Sequence, residues 1–281
     1  MTAHDLPMAN QHLSDQQLAD AGHANQLEWM REMTRWSGRR GDLEESDGLL
    51  LRASATNFPV AFNGVARLDP RVSAAETLRR ADAWFASRER GYSVLVCDRE
   101  GRDDDLRAAV EAAGYLKTSE PPEMVLRQPL PSTAVPTGIE LRWVDDRRAF
   151  EQFLAVCSEA YGAIGMPPGV VEEAIVDLDA FTSPWIHSVV ALDREQPLAA
   201  AQVLLSHGIA GIYWVGTVPD ARGRGLGEAV TRAVARRALD LGAAAVTLQA
   251  SAQGEPIYRR LGFVTLYRYE NWSRFDTPSA E

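Results

Sequence analysis

Residues 211–238 read GIYWVGTVPDARGRGLGEAVTRAVARRA. The run from Gly211 to Val218 is apolar, with Ile212, Tyr213, Trp214 and Val215 in succession, which reads as a buried strand. From Leu226 onward apolar residues recur at helical spacing among arginines, so a long amphipathic helix is expected. Between the two lies Arg222-Gly223-Arg224-Gly225-Leu226-Gly227. Three glycines after a strand let the backbone turn with successive N–H groups pointing into one concavity. The helix N-terminus adds partial positive charge there, and Arg222 and Arg224 add full charges. A phosphate or pyrophosphate is the natural ligand of such a cradle. Spacing excludes two nucleotide motifs: there is no Gly-Lys-Ser/Thr, and Val230 stands where a GxGxxG fingerprint needs its last glycine. The plainer alternative is a glycine-rich turn that merely opens a core helix.

Three further strands are read in the same half, at 186–192, 198–205 and 245–249, the first two joined with 211–218 by short turns as an antiparallel meander. Before them, Ile139 to Val144 alternates as a strand with Ile139, Leu141 and Trp143 on the buried face. Asp145 or Asp146 caps a helix from Arg147 to Tyr161, and Val170 to Leu178 forms a second, acidic helix. After the meander and long helix come a short helix through Tyr258, then Gly262-Phe263, then strand to Trp272. The first half opens with a helix from Ser14, capped by Ser14 with Gln17 as its capping-box partner. An acidic loop around Asp42–Asp47 follows, then strands at 48–52 and 58–62, with Asn63-Gly64 a hairpin turn or a bulge. A helix over 73–87, a strand over 92–97, a helix over 103–113 and a strand over 124–126 complete it. Both halves run helix, strand, short helix, Gly plus aromatic (Gly114-Tyr115, Gly262-Phe263), strand, the pattern of a duplicated α/β unit. The glycine turn has no counterpart in the first half, where Leu68-Asp69-Pro70-Arg71-Val72 precedes the helix. PLPSTAVPTG at 129–138 is the linker candidate, giving domains 1–130 and 138–281.

The 281 residues carry 46% hydrophobic and 24% charged side chains, so a packed core is expected. Net charge is −10, which argues against a nucleic-acid binder, and no apolar run is long enough to span a membrane. MTAHDLPMANQHLSD has neither a basic start nor an apolar core, so no signal peptide is expected. With only Cys97 and Cys157, no disulfide framework is expected and a reducing cytoplasm is the default. Five scattered histidines show no metal-ligand spacing, so no metal is expected. Lys117 is the only lysine among 29 Lys+Arg, a bias that carries no functional argument.

Arg222-Gly223-Arg224-Gly225-Leu226-Gly227 resembles the Q/R-x-x-G-x-G/A signature of the GNAT superfamily of CoA-dependent N-acyltransferases. Tyr258-Arg259-Arg260-Leu261-Gly262-Phe263 resembles its second signature, a tyrosine four residues before Gly-Phe. The order of elements from Ile139 to Trp272 follows that family, and the first half looks like a degenerate copy. The resemblance implies an α/β fold of two GNAT-like units, each a mixed, mostly antiparallel, splayed sheet flanked by helices. It implies acetyl-CoA as cosubstrate, held by Gly216, Thr217 and Val218 of the strand, by the turn from Arg222 through Gly223, Arg224, Gly225, Leu226 and Gly227 to Glu228 and Ala229, and by Ser251. Val218 then supplies a backbone N–H to the developing oxyanion, and Tyr258 supplies a proton to the departing thiolate. No general base is assigned: Glu255, His187 and an ordered water are the candidates. Tyr161 to Trp185 is the acceptor-specificity region by family position. The reaction implied is acetyl transfer to a primary amine, and the alternative is a non-catalytic acyl-CoA-binding regulatory module. A tandem enzyme similar to mycothiol synthase is a further alternative. The partner expected is a small-molecule amine, with no nucleic acid and no membrane, and a homodimer is left open.

Overall fold

The computed structural model describes residues 13–131 and 134–275. Residues 1–12 of the leader reading, and Ser132 and Thr133 of the linker, lie outside the described residues. The first element is α1, Asp15–Trp36, and its cap forms as the sequence predicts. Ser14 Oγ accepts from Gln17 N–H, and Gln17 Oε1 accepts from Ser14 N–H at 2.9 Å.

The first half continues through β1 (Asp42–Ser46), β2 (Leu49–Ala53), β3 (Gly64–Arg67), α2 (Ala74–Ala86), β4 (Tyr92–Cys97), α3 (Asp104–Ala112), β5 (Leu116–Ser119) and β6 (Pro122–Leu126). Two expectations are corrected here. The acidic segment at 42–46 is a strand, turned back on β2 through Asp47-Gly48, both at positive φ. Its carboxylates find donors on neighbouring helices: Glu45 with Arg31 of α1, and Glu44 with Trp84 Nε1 of α2. Conversely, 58–62 is not a strand. Ala61 sits at φ +67, Asn63 holds the loop by accepting from Ser54 N–H and donating to Thr56 C=O, and Arg52 donates to the carbonyl of Phe62. Gly64 is therefore neither a hairpin turn nor a bulge but the start of β3.

The second half comprises β7 (Ile139–Trp143), α4 (Arg147–Gly162), α5 (Val170–Ala174), α6 (Leu178–Phe181), β8 (Ile186–Asp193), β9 (Gln196–Ser206), β10 (Ile209–Thr217), α7 (Leu226–Asp240), β11 (Val246–Gln249), α8 (Glu255–Arg260) and β12 (Val264–Arg274). Asp146 caps α4, accepting from Ala149 N–H at 2.7 Å. The helix expected over 170–178 is broken after Ala174, because the N–H groups of Val176 and Asp177 both donate to Trp36 C=O at the end of α1. Trp143 is exposed rather than buried, since β7 is a sheet edge.

Each half contains a strand, a helix and a parallel return strand: β3–α2–β4 and β10–α7–β11. The halves then share one twelve-stranded sheet, ordered β1-β2-β3-β4-β12-β6-β11-β10-β9-β8-β7, with β5 against β12. The final strands are exchanged between halves. β6 of the first half lies between β11 and β12, while residues 269–274 of β12 lie beside β4, with β5 on their far side. One face of the sheet carries α1 and α4. Asn25 and Trp29 of α1 meet Gly211 and Tyr213, and Ala160 of α4 meets Gly216. The opposite face carries α7, whose Gly227 meets Thr217.

The exchanged strand β6 brings Glu123 into the core at 1% exposure. Burial pushes its carboxyl up to about 7, against hydrogen bonds from Gln249 and Thr247 that lower it. A carboxyl raised above its unfolded value contributes fully to stability below the unfolded pKa and loses that contribution as pH rises through about 7. Replacement Glu123→Gln removes this penalty, so between pH 4.5 and pH 8 the variant gains up to about 3 kcal/mol relative to the parent. Urea unfolding at the two pH values measures it, and parallel pH profiles refute it.

Candidate active site

The site is built where β10 and β11 part. Their parallel pairing covers only Ala210 to Ile212 against Val246 to Leu248. Beyond it β10 bulges: its register on β9 shifts between Tyr213 and Gly216, and Trp214 sits at φ +52. The bulge bends β10 away from β11 and opens a gap in the sheet. Tyr161, from the end of α4, packs edge-on against Trp214, their ring centroids 5.1 Å apart, and its hydroxyl donates to Val215 C=O at 3.3 Å. Phe62 of the first half also meets Trp214, their ring centroids 6.0 Å apart.

Past the gap the chain makes a 3₁₀ turn, Pro219–Ala221, and enters the glycine turn. Gly223 and Gly225 have φ of +77 and +76, and nothing lies within 4 Å of where a Cβ would stand on either. That left-handed backbone with open space in front is what a cradle for an anion requires. Gly225 is the N-cap of α7 without any side-chain cap, which leaves the first-turn N–H groups of α7 to an external acceptor. Ala229 N–H is the exception, closing the first turn onto Gly225 C=O at 3.0 Å. Leu226 is buried and anchors the turn. Arg222 donates to Thr217 C=O at 3.4 Å, Arg224 pairs with Asp193 at 2.8 Å, and Glu228 pairs with Arg232 at 2.8 Å.

Tyr258 lies on α8, buried, edge-on to Phe263 and against Gly254. Burial pushes its hydroxyl up to about 12, and a hydrogen bond with Thr231 of α7 pulls the other way. It is therefore protonated across the neutral range. Ser251, at the mouth of the same loop, is exposed, and its hydroxyl accepts from Gly254 N–H.

One assignment needs correction. Val218 N–H donates to Leu198 C=O at 2.9 Å, so it is not free to meet an oxyanion. With Gly216 and Val218 facing β9, strand alternation turns the Thr217 N–H to the side on which β11 departs. The two candidate bases are also placed. Glu255 is engaged by Arg259 at 2.6 Å within α8, and His187 lies on β8 with its pKa lowered by burial. In the acceptor region, Tyr161 borders the gap, whereas Trp185 donates from Nε1 to Glu32 of α1.

Sequence reading missed the contribution of the first half. Asn25 and Gln26 of α1 and Glu123 of β6 all reach the α1 face of β10 and β11. The available signal was a lone carboxylate in the apolar run Glu123-Met124-Val125-Leu126. In the first half, the concavity beside the start of α2 is lined by Asp47, Arg71, Ser73 and Glu76, but Arg71 is paired with Asp69 and no glycine turn precedes it. Among the described residues, no helix is long and apolar enough to cross a membrane, and no group of three or more His, Cys, Asp and Glu side chains is arranged to hold a metal ion.

Comparison with known proteins gives the same region. A family model described as an acetyltransferase (GNAT) domain matches residues 184–265. A mycothiol acetyltransferase of Pseudarthrobacter chlorophenolicus is 30% identical over 188 residues, 62% of this chain and 58% of that protein. The match thus spans little more than half the length of the curated relative. Among solved structures, a GCN5-related N-acetyltransferase from Kribbella flavida has a TM-score of 0.65 at 19% identity, covering 90% of this chain and 96% of that one. A tandem GNAT protein from the clavulanic acid biosynthesis pathway has a TM-score of 0.56 at 15% identity, covering 98% and 99%. These two likenesses are of fold.

Proposed function

We propose that this chain, whose residues 184–265 match the model of a GNAT acetyltransferase domain, transfers an acetyl group from acetyl-CoA to a primary amine of a small molecule. The observation that carries the reading is the pairing, beside one gap in the sheet, of an open left-handed glycine cradle with a buried, protonated tyrosine. Residues 138–281 are proposed as the catalytic domain and residues 1–130 as its degenerate partner. The first-turn N–H groups of α7, with Gly223 to Gly227, hold the pyrophosphate, and Gly216 and Thr217 border the pantetheine arm. Ser251 stands at the mouth of that cleft.

Acetyl-CoA supplies an activated thioester: the amine nitrogen bonds to the carbonyl carbon, the carbon–sulfur bond breaks, and the amine loses a proton. Within this chain, Thr217 N–H takes the role of oxyanion donor, since Val218 N–H is engaged by Leu198. Tyr258 holds its proton at Oη and gives it, or a hydrogen bond, to the departing sulfur. The proton of the amine passes to water at the gap, because Glu255 is paired with Arg259 within α8 and His187 lies on β8, separated from β10 by β9.

A second reading, a non-catalytic acyl-CoA-binding module, is favoured by one observation: β10 has no carboxylate at the gap. Incubation with acetyl-CoA and a panel of primary amines, with mass-spectrometric detection of acetylated product, separates the two. Product formation supports the enzyme. Acetyl-CoA binding with no product from any amine supports the module.

A further inference from the structure

Beneath α1, three polar side chains meet that the reaction described above does not use. Gln249 is the last residue of β11, one position past the final pairing of β11 with β10, so it borders the gap. Its Nε2 donates to Gln26 Oε1 at 2.7 Å and to Glu123 Oε2 at 3.1 Å. Those two bonds use both amide hydrogens. With Glu123 ionised, above its pKa of about 7, turning the amide over would set its oxygen against two other acceptors, so the orientation is held. Gln26 and Glu123 are 5% and 1% exposed, whereas Gln249 is half-buried, so the accessible end of the amide is Oε1. Among the described residues, no donor bonds to that oxygen.

The two anchors are themselves fixed. Glu123 lies directly across from Gln249 in the β6–β11 ladder and is 1% exposed. Gln26 belongs to α1, which is pinned to β10 by its neighbour Asn25. Asn25 accepts from Tyr213 Oη at 2.7 Å and donates to Leu204 C=O and Ser206 Oγ. Trp29, one turn on, stacks on Tyr213 with centroids 4.7 Å apart. Gln249 and Thr247 point to the α1 face, where Thr247 lies against Gly22, while the cradle and Tyr258 belong with α7 on the opposite face. A donor held from the α7 side therefore presents its thioester at a gap whose other side offers one outward amide oxygen.

Resting on the acetyltransferase reading, we propose that Gln249 Oε1 accepts a hydrogen bond from the N–H of the amine being acylated, and that Glu123 and Gln26 are positioning residues for it. An attacking amine must aim its lone pair at the carbonyl carbon with its N–H bonds turned away. A fixed acceptor on the far side of the nitrogen selects that orientation. The first half thereby supplies the wall that orients the acceptor, through one residue of α1 and one of the exchanged strand.

The test uses the full chain, acetyl-CoA, and the best substrate among glucosamine, ethanolamine, serinamide and spermidine. Gln249→Met keeps the side-chain length without hydrogen bonding, and Gln249→Asn keeps the amide but withdraws it by one methylene. Either variant is expected to raise the KM of the amine roughly tenfold, the loss of one hydrogen bond, with the acetyl-CoA Kd from calorimetry unchanged. Glu123→Leu, which frees the amide to turn, is expected to raise the same KM without touching acetyl-CoA binding. If the parent acetylates an amine and both Gln249 variants keep its KM within twofold, this proposal alone is overturned. If the parent binds acetyl-CoA and acetylates none of the four, the acetyltransferase reading fails and the proposal falls with it.

Discussion

Replacing Tyr258 by Phe is expected to lower kcat for acetyl transfer about a hundredfold, the low end of what a positioned proton donor contributes. The acetyl-CoA KM should change little, because the ring stays edge-on to Phe263 and against Gly254 and only the hydroxyl is lost. The pH profile provides a second check. Burial raises the Tyr258 hydroxyl to about 12, so its acid form persists through neutral pH and the alkaline limb it controls begins only near there. An alkaline loss of kcat centred near pH 8 would belong to another group. A kcat within threefold of the parent would remove Tyr258 from the chemistry.

The largest effect on folding is expected from Gly211→Ala. Gly211 sits on the α1 face of β10, and an added Cβ would stand 2.7 Å from the Tyr213 ring and closer still to Asn25 Oδ1. Asn25 is fully buried and makes three hydrogen bonds that tie α1 to β9 and β10. The methyl group has no room unless Asn25 withdraws, which strands buried polar atoms on both sides. The loss is about 3 kcal/mol or more, and Tm should drop by roughly 6–12 °C. Calorimetry on the variant measures it, and a Tm within about 2 °C of the parent would mean that α1 does not hold the sheet as described.

How much of this was legible in the sequence depended on whether the deciding contacts were local. Ser14 and Gln17 announced the start of α1 because both halves of a capping box lie within one turn. The glycine turn and Tyr258 could be singled out for a similar reason: each lies within six consecutive residues that resemble a family signature, and their roles are proposals. The segment at 58–62 misled because its apolar composition is that of a strand, while the groups that fold it as a loop, Arg52 and Asn63, act through carbonyls that composition does not reveal. The acidic strand β1 was hidden because its partners, Arg31 and Trp84, lie on two different helices. The exchange of β6 and β12 could not be read at all. Each strand is compatible with pairing inside its own half, and only the three-dimensional register puts Glu123 beside Gln249. The Val218 donor was an inference from resemblance, and one backbone bond to Leu198 displaces it.

The central claim is that one donor site exists, at the glycine turn of the second half, with Tyr258 beside it. A crystal structure with acetyl-CoA bound tests it most directly. The account predicts one molecule per chain, its pyrophosphate on the N–H groups of the turn at 223–228 and its sulfur within hydrogen-bond reach of Tyr258 Oη. Density beside Arg71 and Ser73 in the first half, or none along 223–228, would contradict it.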